Sequence, residues 1–389
     1  MAGEVTLNQL LQAPTIRSVV SQLKSPISAF QQHYKMTPGS TATDRVTGTE
    51  IGWDIFNSTR KIAKVKPRNS GPARTTERPV GHNSATLVRM HDSIHLEQDK
   101  IFNTRDLGVG WNAPLDVMGQ KYIERQLKQL TRLFANGREF MLSRMFRGGF
   151  GVKFVGDDMK LVESNDANAA FTVDYGIPTG NLNQVTFGTS DATFTESFDD
   201  PSADIPGMLW NFRKRVMMLL GFEMTEYWIN STTFTKMQVN NYMAQVAGTA
   251  NTVFESITGQ GLSKEEANAA DGYVVRFRAL PKHKFIVYDG TLIVGDNVDT
   301  VTDMTQVSLT VPDNIMIATP APDDSDWLGC AEGSEIVAES YVDPGKHVHG
   351  FHTWKNRTIL PPGWDLIGVD NWVPILRNPY ATFYATVIY

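Results

Sequence analysis

The chain has 389 residues, 41% hydrophobic and 20% charged, a composition that excludes disorder and supplies enough apolar residues for two domains or one with insertions. The one cysteine, Cys330, excludes an intrachain disulfide framework and reads as a small buried residue in a reducing cytoplasm. Net charge is −6, yet nine Lys or Arg face three Asp or Glu between Arg45 and Met90, so the rest of the chain sums to −12.

Such a reversal of sign invites an acidic partner, either another copy of the chain or nucleic acid, against the plainer reading of a solvated basic face. No apolar run approaches the ~20 residues that cross a bilayer, and MAGEVTLNQLLQ lacks the basic-then-apolar order of a signal peptide. A cytosolic product with no membrane contact is therefore expected.

Residues 1–44 read as an arm. Leu7, Leu10 and Leu11 share one side of a short helix, Pro14, Pro26 and Pro38 punctuate the residues after it, and apolar groups such as Ile27 with Phe30 are too small to close a core alone. Residues 45–105 hold the basic segment. Alternation at Ile51, Trp53 and Ile55, and again at Leu87, Ile94 and Leu96, predicts strands around a Pro-rich tip, KPRNSGPARTTERPVG. An isolated excursion of this kind is marginal in water and is expected to lie on a neighbouring copy.

From Leu115 to Phe146 the spacing predicts a spine helix roughly 45 Å long. Ile123, Leu127, Leu130, Phe134, Met141 and Met145 form its apolar stripe. Lys121, Glu124, Arg125, Lys128, Arg132, Arg138 and Glu139 are assigned to the polar face, and Arg144 and Arg147 to the negative end of the dipole. Gly148 and Gly149 stop it. A helix so long implies the spine of a flat subunit with sheet along one side.

A hairpin comes next at Val152–Val162, turning at Gly156, Asp157 and Asp158, with a further strand at Phe171–Tyr175. In DDPSADIPG, Asp200 or Ser202 is the expected cap of a helix burying Ile205, Met208, Leu209, Phe212, Val216 and Leu219. A short strand at Glu226–Asn230, a helix over STTFTKMQVNNYMAQV and later strands suggest a compact α/β region over roughly 199–320. The tail after Pro320 reads as β, with the apolar terminus FYATVIY paired in a sheet near the spine helix.

Asp200-Pro201-Ser202-Ala203-Asp204-Ile205 resembles the D-P-x-x-D-I element of tailed-phage major capsid proteins of the E family, the lambda-type shell proteins. The basic segment before the long helix and the ending WVPILRNPYATFYATVIY are similar to that family too, and the order of elements covers nearly the whole chain. The resemblance implies an α+β fold of the tailed-phage major capsid type. Its parts are an N-arm over 1–44, an extended two-stranded basic loop over 45–105, a peripheral domain over 106–198 with the spine helix and a β insertion, an axial domain over 199–330, and a return to the peripheral domain over 331–389. It also implies no catalysis and no cofactor. The function implied is self-assembly into hexamers and pentamers of an icosahedral shell enclosing double-stranded DNA, assembled in the host cytoplasm. Possible partners are scaffolding, decoration and portal proteins, with non-specific contact to packaged DNA. Arg60, Lys61, Lys64, Lys66, Arg68, Arg74 and Arg78 are the candidates for contact with the acidic surface of an adjacent subunit.

Other chemistry is thinner. His347 and His349 share a strand face, with His352 and Asp343 nearby, a spacing compatible with zinc, but interface histidines fit as well, and no metal site is assigned. Asp323, Asp324 and Asp326 read as a solvated turn rather than a calcium loop. Phosphate-loop, dinucleotide and nucleophile-elbow motifs are absent, and Glu332 and Glu335 oppose a thiolate at Cys330. A Pro-rich loop is no groove-reading helix. The alternatives are a cellular nanocompartment shell of the same fold, a metal-dependent hydrolase, or a tail or decoration protein.

Overall fold

The computed structural model describes residues 29–38, 44–55, 81–97, 115–155, 158–182, 194, 196–219, 221–238, 240, 254–256, 273–277, 280–293, 307–322, 327–337, 346–358 and 363–388. The chain divides into two compact units. The first comprises Met1–Ile51, Ala85–Leu142 and Cys330–Pro374, and the second Gly52–Ser84, Ser143–Gly329 and Ile375–Tyr389.

The first unit is organised on the strand Gly363–Leu376. This strand pairs antiparallel with Val88–Glu97 and with His352–Thr358, and it lies beside Leu328–Val337. Leu328–Val337 in turn pairs parallel with Asp44–Val46 and antiparallel with Lys346–His349. Register sorts the faces: Leu366 sits opposite Ile94, and Trp364 opposite Leu96. Leu366 and Leu96 bury against Ile123, Leu127, Leu130 and Phe134 of the spine helix, with Ile94 and Trp364 packed at the edge. Each such side chain contributes about 1.5–3 kcal/mol by leaving water. Gly368 is what admits the Phe134 ring, since a Cβ there would lie 2.6 Å from it. The opposite face carries Val348, Trp354 and Val369. Against Trp354 the rings of His91 and His352 stack at 6.1 and 6.2 Å.

The spine helix runs Leu115–Met145. Its six predicted stripe residues are all buried, and Arg125, Lys128 and Arg132 are exposed. The second half departs from the prediction. Every residue from Arg138 to Phe146 is buried, so Arg138 and Glu139 are not on a solvent face, while Arg144 stands in the last turn as expected. Gly148, at φ +108°, ends the helix in a conformation that L side chains avoid. Gly149 lets the Val173 carbonyl approach into the space where a Cβ would stand.

In the second unit a six-stranded sheet runs in the order Phe383–Thr386, Ile315–Thr319, Glu226–Ile229, Leu280–Val287, Tyr273–Phe277, Phe254–Ser256. Only the pairing of Glu226–Ile229 with Leu280–Val287 is parallel. The helix Ile205–Leu219 lays Ile205, Leu209, Phe212 and Val216 onto Phe285, Met316 and Phe383, with Phe212 and Phe383 at 4.9 Å between ring centroids. Its cap is Asp204, whose Oδ1 accepts the Gly207 N–H at 2.8 Å. Asp200 and Ser202, the expected caps, instead close the preceding turn. The Asp200 carboxylate accepts the Ser202 N–H at 2.8 Å and its hydroxyl at 2.7 Å, and those bonds hold its pKa low. The turn thus places Asp204 one residue before the helix, where a free carboxylate oxygen meets the first orphan amides.

The helix Ser231–Gln238 is capped by Asn230, which accepts the Thr233 N–H at 2.9 Å. Most of the rest of the predicted helix lies outside the described residues. The predicted hairpin is present as Gly149–Val155 against Asp158–Glu163, with Phe171–Asp174 on its other side. At the end of the chain Asn378 accepts the Tyr380 N–H at 3.1 Å and opens a single 3-10 turn, Pro379–Ala381. The following strand, Phe383–Thr386, pairs antiparallel with Ile315–Thr319 in the second unit's sheet.

Candidate functional site: a charge clamp on the spine helix

The buried end of the spine helix carries adjacent residues of opposite charge, and both grip one short segment. Glu139 is 1% exposed. Its two oxygens accept the backbone N–H groups of Phe30 at 3.1 Å and Gln31 at 3.2 Å, and Oε2 also accepts the Gln31 side-chain amide at 3.1 Å. Both amides belong to the helix Ala29–His33. The Gln31 amide also donates to the Ala135 carbonyl at 2.5 Å.

Arg138 holds the other end. Its Nη1 donates to the carbonyls of Met36 and Thr37, both at 3.2 Å. Its Nε and Nη2 form a two-pronged pair with Asp370 at 2.6 and 2.7 Å, and the Trp372 ring lies 4.9 Å from the guanidinium carbon. Arg138 and Asp370 are both fully buried. Burial opposes the Arg138 charge, but Asp370 outweighs it, and the guanidinium pKa ends above its ordinary value. Glu332 stands 3.8 Å from Nη2. Burial pushes its carboxyl pKa up, against the pull of Arg138. The clamp therefore ties residues 30–37 to the spine helix and to the central strand in one hydrogen-bonded cluster.

Periodicity contained a sign of this. Arg138 stands four residues after Phe134 and three before Met141, on the apolar stripe itself. Glu139 likewise falls between Ala135 and Leu142, both of which are buried. A charge at a stripe position announces a buried partner, but Asp370, 232 residues away, has no local signature.

In the second unit Arg144 pairs with Glu163 at 2.6 Å. Burial, then the neighbouring Arg147, pulls its pKa down to about 10. Tyr227 and His283 are buried together, with the hydroxyl 2.8 Å from Nδ1. Burial, with Arg213 adding to it, lowers the His283 pKa to about 4 and so keeps the imidazole neutral.

The seven basic residues Arg60, Lys61, Lys64, Lys66, Arg68, Arg74 and Arg78 lie outside the described residues, as do Asp323, Asp324, Asp326 and Asp343. The strands on either side of the basic segment, Glu50–Ile55 and Gly81–Thr86, pair with each other. His347 and His349 alternate along one strand, opposite Ile336 and Ser334. Among the described residues no group of three or more His, Cys, Asp or Glu is placed to hold a metal ion. Cys330 is buried, as expected of a small core residue. No helix of the described residues is long and apolar enough to cross a membrane.

No protein-family profile matches the chain, and no curated protein sequence matches it. Its fold has counterparts among solved structures. A protein assigned as the capsid protein of a prophage of Escherichia coli CFT073 superposes with a TM-score of 0.55 at 9% identity, covering 79% of each chain. The mature capsid of bacteriophage PhiM1 gives 0.42 at 12% identity over 88% of this chain and 84% of the other. An encapsulin complex of Synechococcus elongatus PCC 7942 gives 0.40 at 9% identity over 97% and 96%. The last two are loose likenesses, and the comparison rests on the first. On that likeness the chain has the mixed helix-and-strand fold of phage major capsid proteins.

Proposed function

We propose that this protein is the major shell subunit of a tailed phage of the lambda type, self-associating into hexamers and pentamers of an icosahedral shell around double-stranded DNA. The observation that carries the reading is the fold shared with the prophage capsid protein. The clamp agrees with it: Arg138 and Glu139 use buried charge to fix residues 30–37 to the spine, which is structural work and not catalysis. In this reading the basic segment with Arg60, Lys61, Lys64, Lys66, Arg68, Arg74 and Arg78 lies over the acidic surface of an adjacent subunit. Each exposed ion pair is worth about 0–1 kcal/mol, and repetition around every ring supplies the total. Scaffolding, decoration and portal proteins are the partners such a shell uses, and the host cytoplasm is where it assembles.

The test is negative-stain electron microscopy of the purified protein with its sedimentation profile. Closed polyhedral particles or capsomer-sized rings are expected. A monomer or dimer at every salt concentration would overturn the shell reading. Particles from infected cells should protect double-stranded DNA from nuclease; shells filled with protein and free of DNA would point to a nanocompartment instead. If the seven basic residues bind DNA rather than another copy, binding falls steeply with salt, whereas subunit contacts persist in nuclease-treated particles.

A further inference from the structure

Glu332 is a buried carboxyl group, 4% exposed, that the clamp does not satisfy. Its cation is Arg138, whose hydrogen bonds are committed elsewhere: Nε and Nη2 to Asp370, Nη1 to the carbonyls of Met36 and Thr37. Nη2 stays 3.8 Å from the Glu332 carboxylate, beyond hydrogen-bond reach. The neighbouring turn offers no donor either. The Glu332 carboxyl lies where a Cβ of Gly350 would stand, and the Gly350 N–H goes to the Gly333 carbonyl at 3.3 Å.

The charges around Glu332 leave it in excess. On the central strand Asp370 by itself matches the Arg138 charge. On the spine helix Glu139 is a further carboxylate, held by the Phe30 and Gln31 amides. Arg45 stands directly opposite in the parallel partner strand, but it is exposed and forms no ion pair with Glu332. On its own strand Cys330 shares the face two residues back, and Glu335 lies on the other face, bound to Arg89 at 2.9 Å. His349, on the antiparallel neighbour, is in register with Ser334. A buried charge without hydrogen bonds is costly, and a proton removes that charge.

We infer that Glu332 is a proton-operated latch: protonated, it lets the strand Leu328–Val337 close on the spine helix and on residues 30–37, and loss of the proton loosens them by placing an excess negative charge beside Asp370. The latch does not depend on the shell reading. Burial pushes the Glu332 carboxyl above its ordinary 4.5, the direction the latch requires. Its stabilisation is complete below 4.5 and is lost as pH rises through the folded value. His283, in the second unit, acts in the opposite sense.

The test is hydrogen exchange of the full chain at pH 5 and pH 8, read over residues 29–38 and 330–336 as protection relative to the unfolded rate at each pH. Wild-type protection should be higher at pH 5 by about threefold or more. Glu332→Gln, which keeps the shape of the protonated group, should protect equally at both pH values and match or exceed the wild type at pH 8. As a second measurement, urea unfolding at pH 5 should release more protons from the wild type than from Glu332→Gln. Equal wild-type protection at the two pH values would overturn the latch, as would a pH difference that persists in Glu332→Gln, or equal proton release. A Glu332→Gln chain that does not fold at pH 8 would overturn it too, because the variant mimics the closed state.

Discussion

Replacing Asp370 with Ala would leave the Arg138 guanidinium fully buried with its main counter-ion gone. The two charge-assisted hydrogen bonds at 2.6 and 2.7 Å disappear, while Glu332 at 3.8 Å and the carbonyls of Met36 and Thr37 remain. Breaking a buried pair from one side costs about 3–5 kcal/mol, and the residual Glu332 interaction sets the expectation at the lower end, about 3 kcal/mol. That is roughly a hundredfold in the unfolding equilibrium of the first unit. The assay is urea unfolding of unassembled protein followed by tryptophan fluorescence, since Trp372 stacks on Arg138, with hydrogen exchange over residues 29–38 as a local readout. Asp370→Asn keeps the shape and loses the charge, and should fall between Asp370→Ala and the wild type. A loss below about 1 kcal/mol for Asp370→Ala would refute the argument that this pair governs the unit, as would unchanged exchange at residues 29–38.

Glu139→Gln keeps an acceptor but removes the carboxylate that caps Ala29–His33, so exchange of the Phe30 and Gln31 amides should accelerate by about 1–2 kcal/mol in protection, with the second unit unchanged. His283 has a folded pKa of about 4 against an ordinary 6.5. Above pH 6.5 both states are neutral; between 6.5 and about 4 only the unfolded chain takes the proton, so stability falls as pH falls through that window by about 3 kcal/mol in all. His283→Gln should flatten that slope in acid unfolding curves, and an unaltered slope would remove His283 as its source. Asp204→Ala should cost about 1 kcal/mol of second-unit stability in thermal unfolding, whereas Asp200→Ala, which disturbs the turn and not the cap, should cost less. Gly368→Ala should cost about 1–3 kcal/mol, because the Phe134 ring has to move from its place 2.6 Å from the new carbon.

Features that repeat locally were legible in the sequence. The stripe from Ile123 to Met145, the glycines that stop the helix and the hairpin after it are set by spacing and by backbone chemistry within a few residues. The caps were legible in kind but not in place. DPSADI offers several capping side chains, and only the folded turn decides that Asp200 binds Ser202 and leaves Asp204 for the helix. The polar face of the spine was misassigned at Arg138 and Glu139 because their charge was weighed above their spacing, which aligns Arg138 with Phe134 and Met141 and Glu139 with Ala135 and Leu142.

The sequence by itself therefore determined the elements, their order and the reversal of charge near residues 45–90, since each depends on neighbours in the chain. The tertiary structure decided which charges are buried together. Arg138, Asp370 and Glu332 come from a helix and two strands far apart in sequence, and Glu139 meets a segment more than one hundred residues before it. A charge is stable in the interior only where a distant partner neutralises it, and only the folded packing brings that partner within reach.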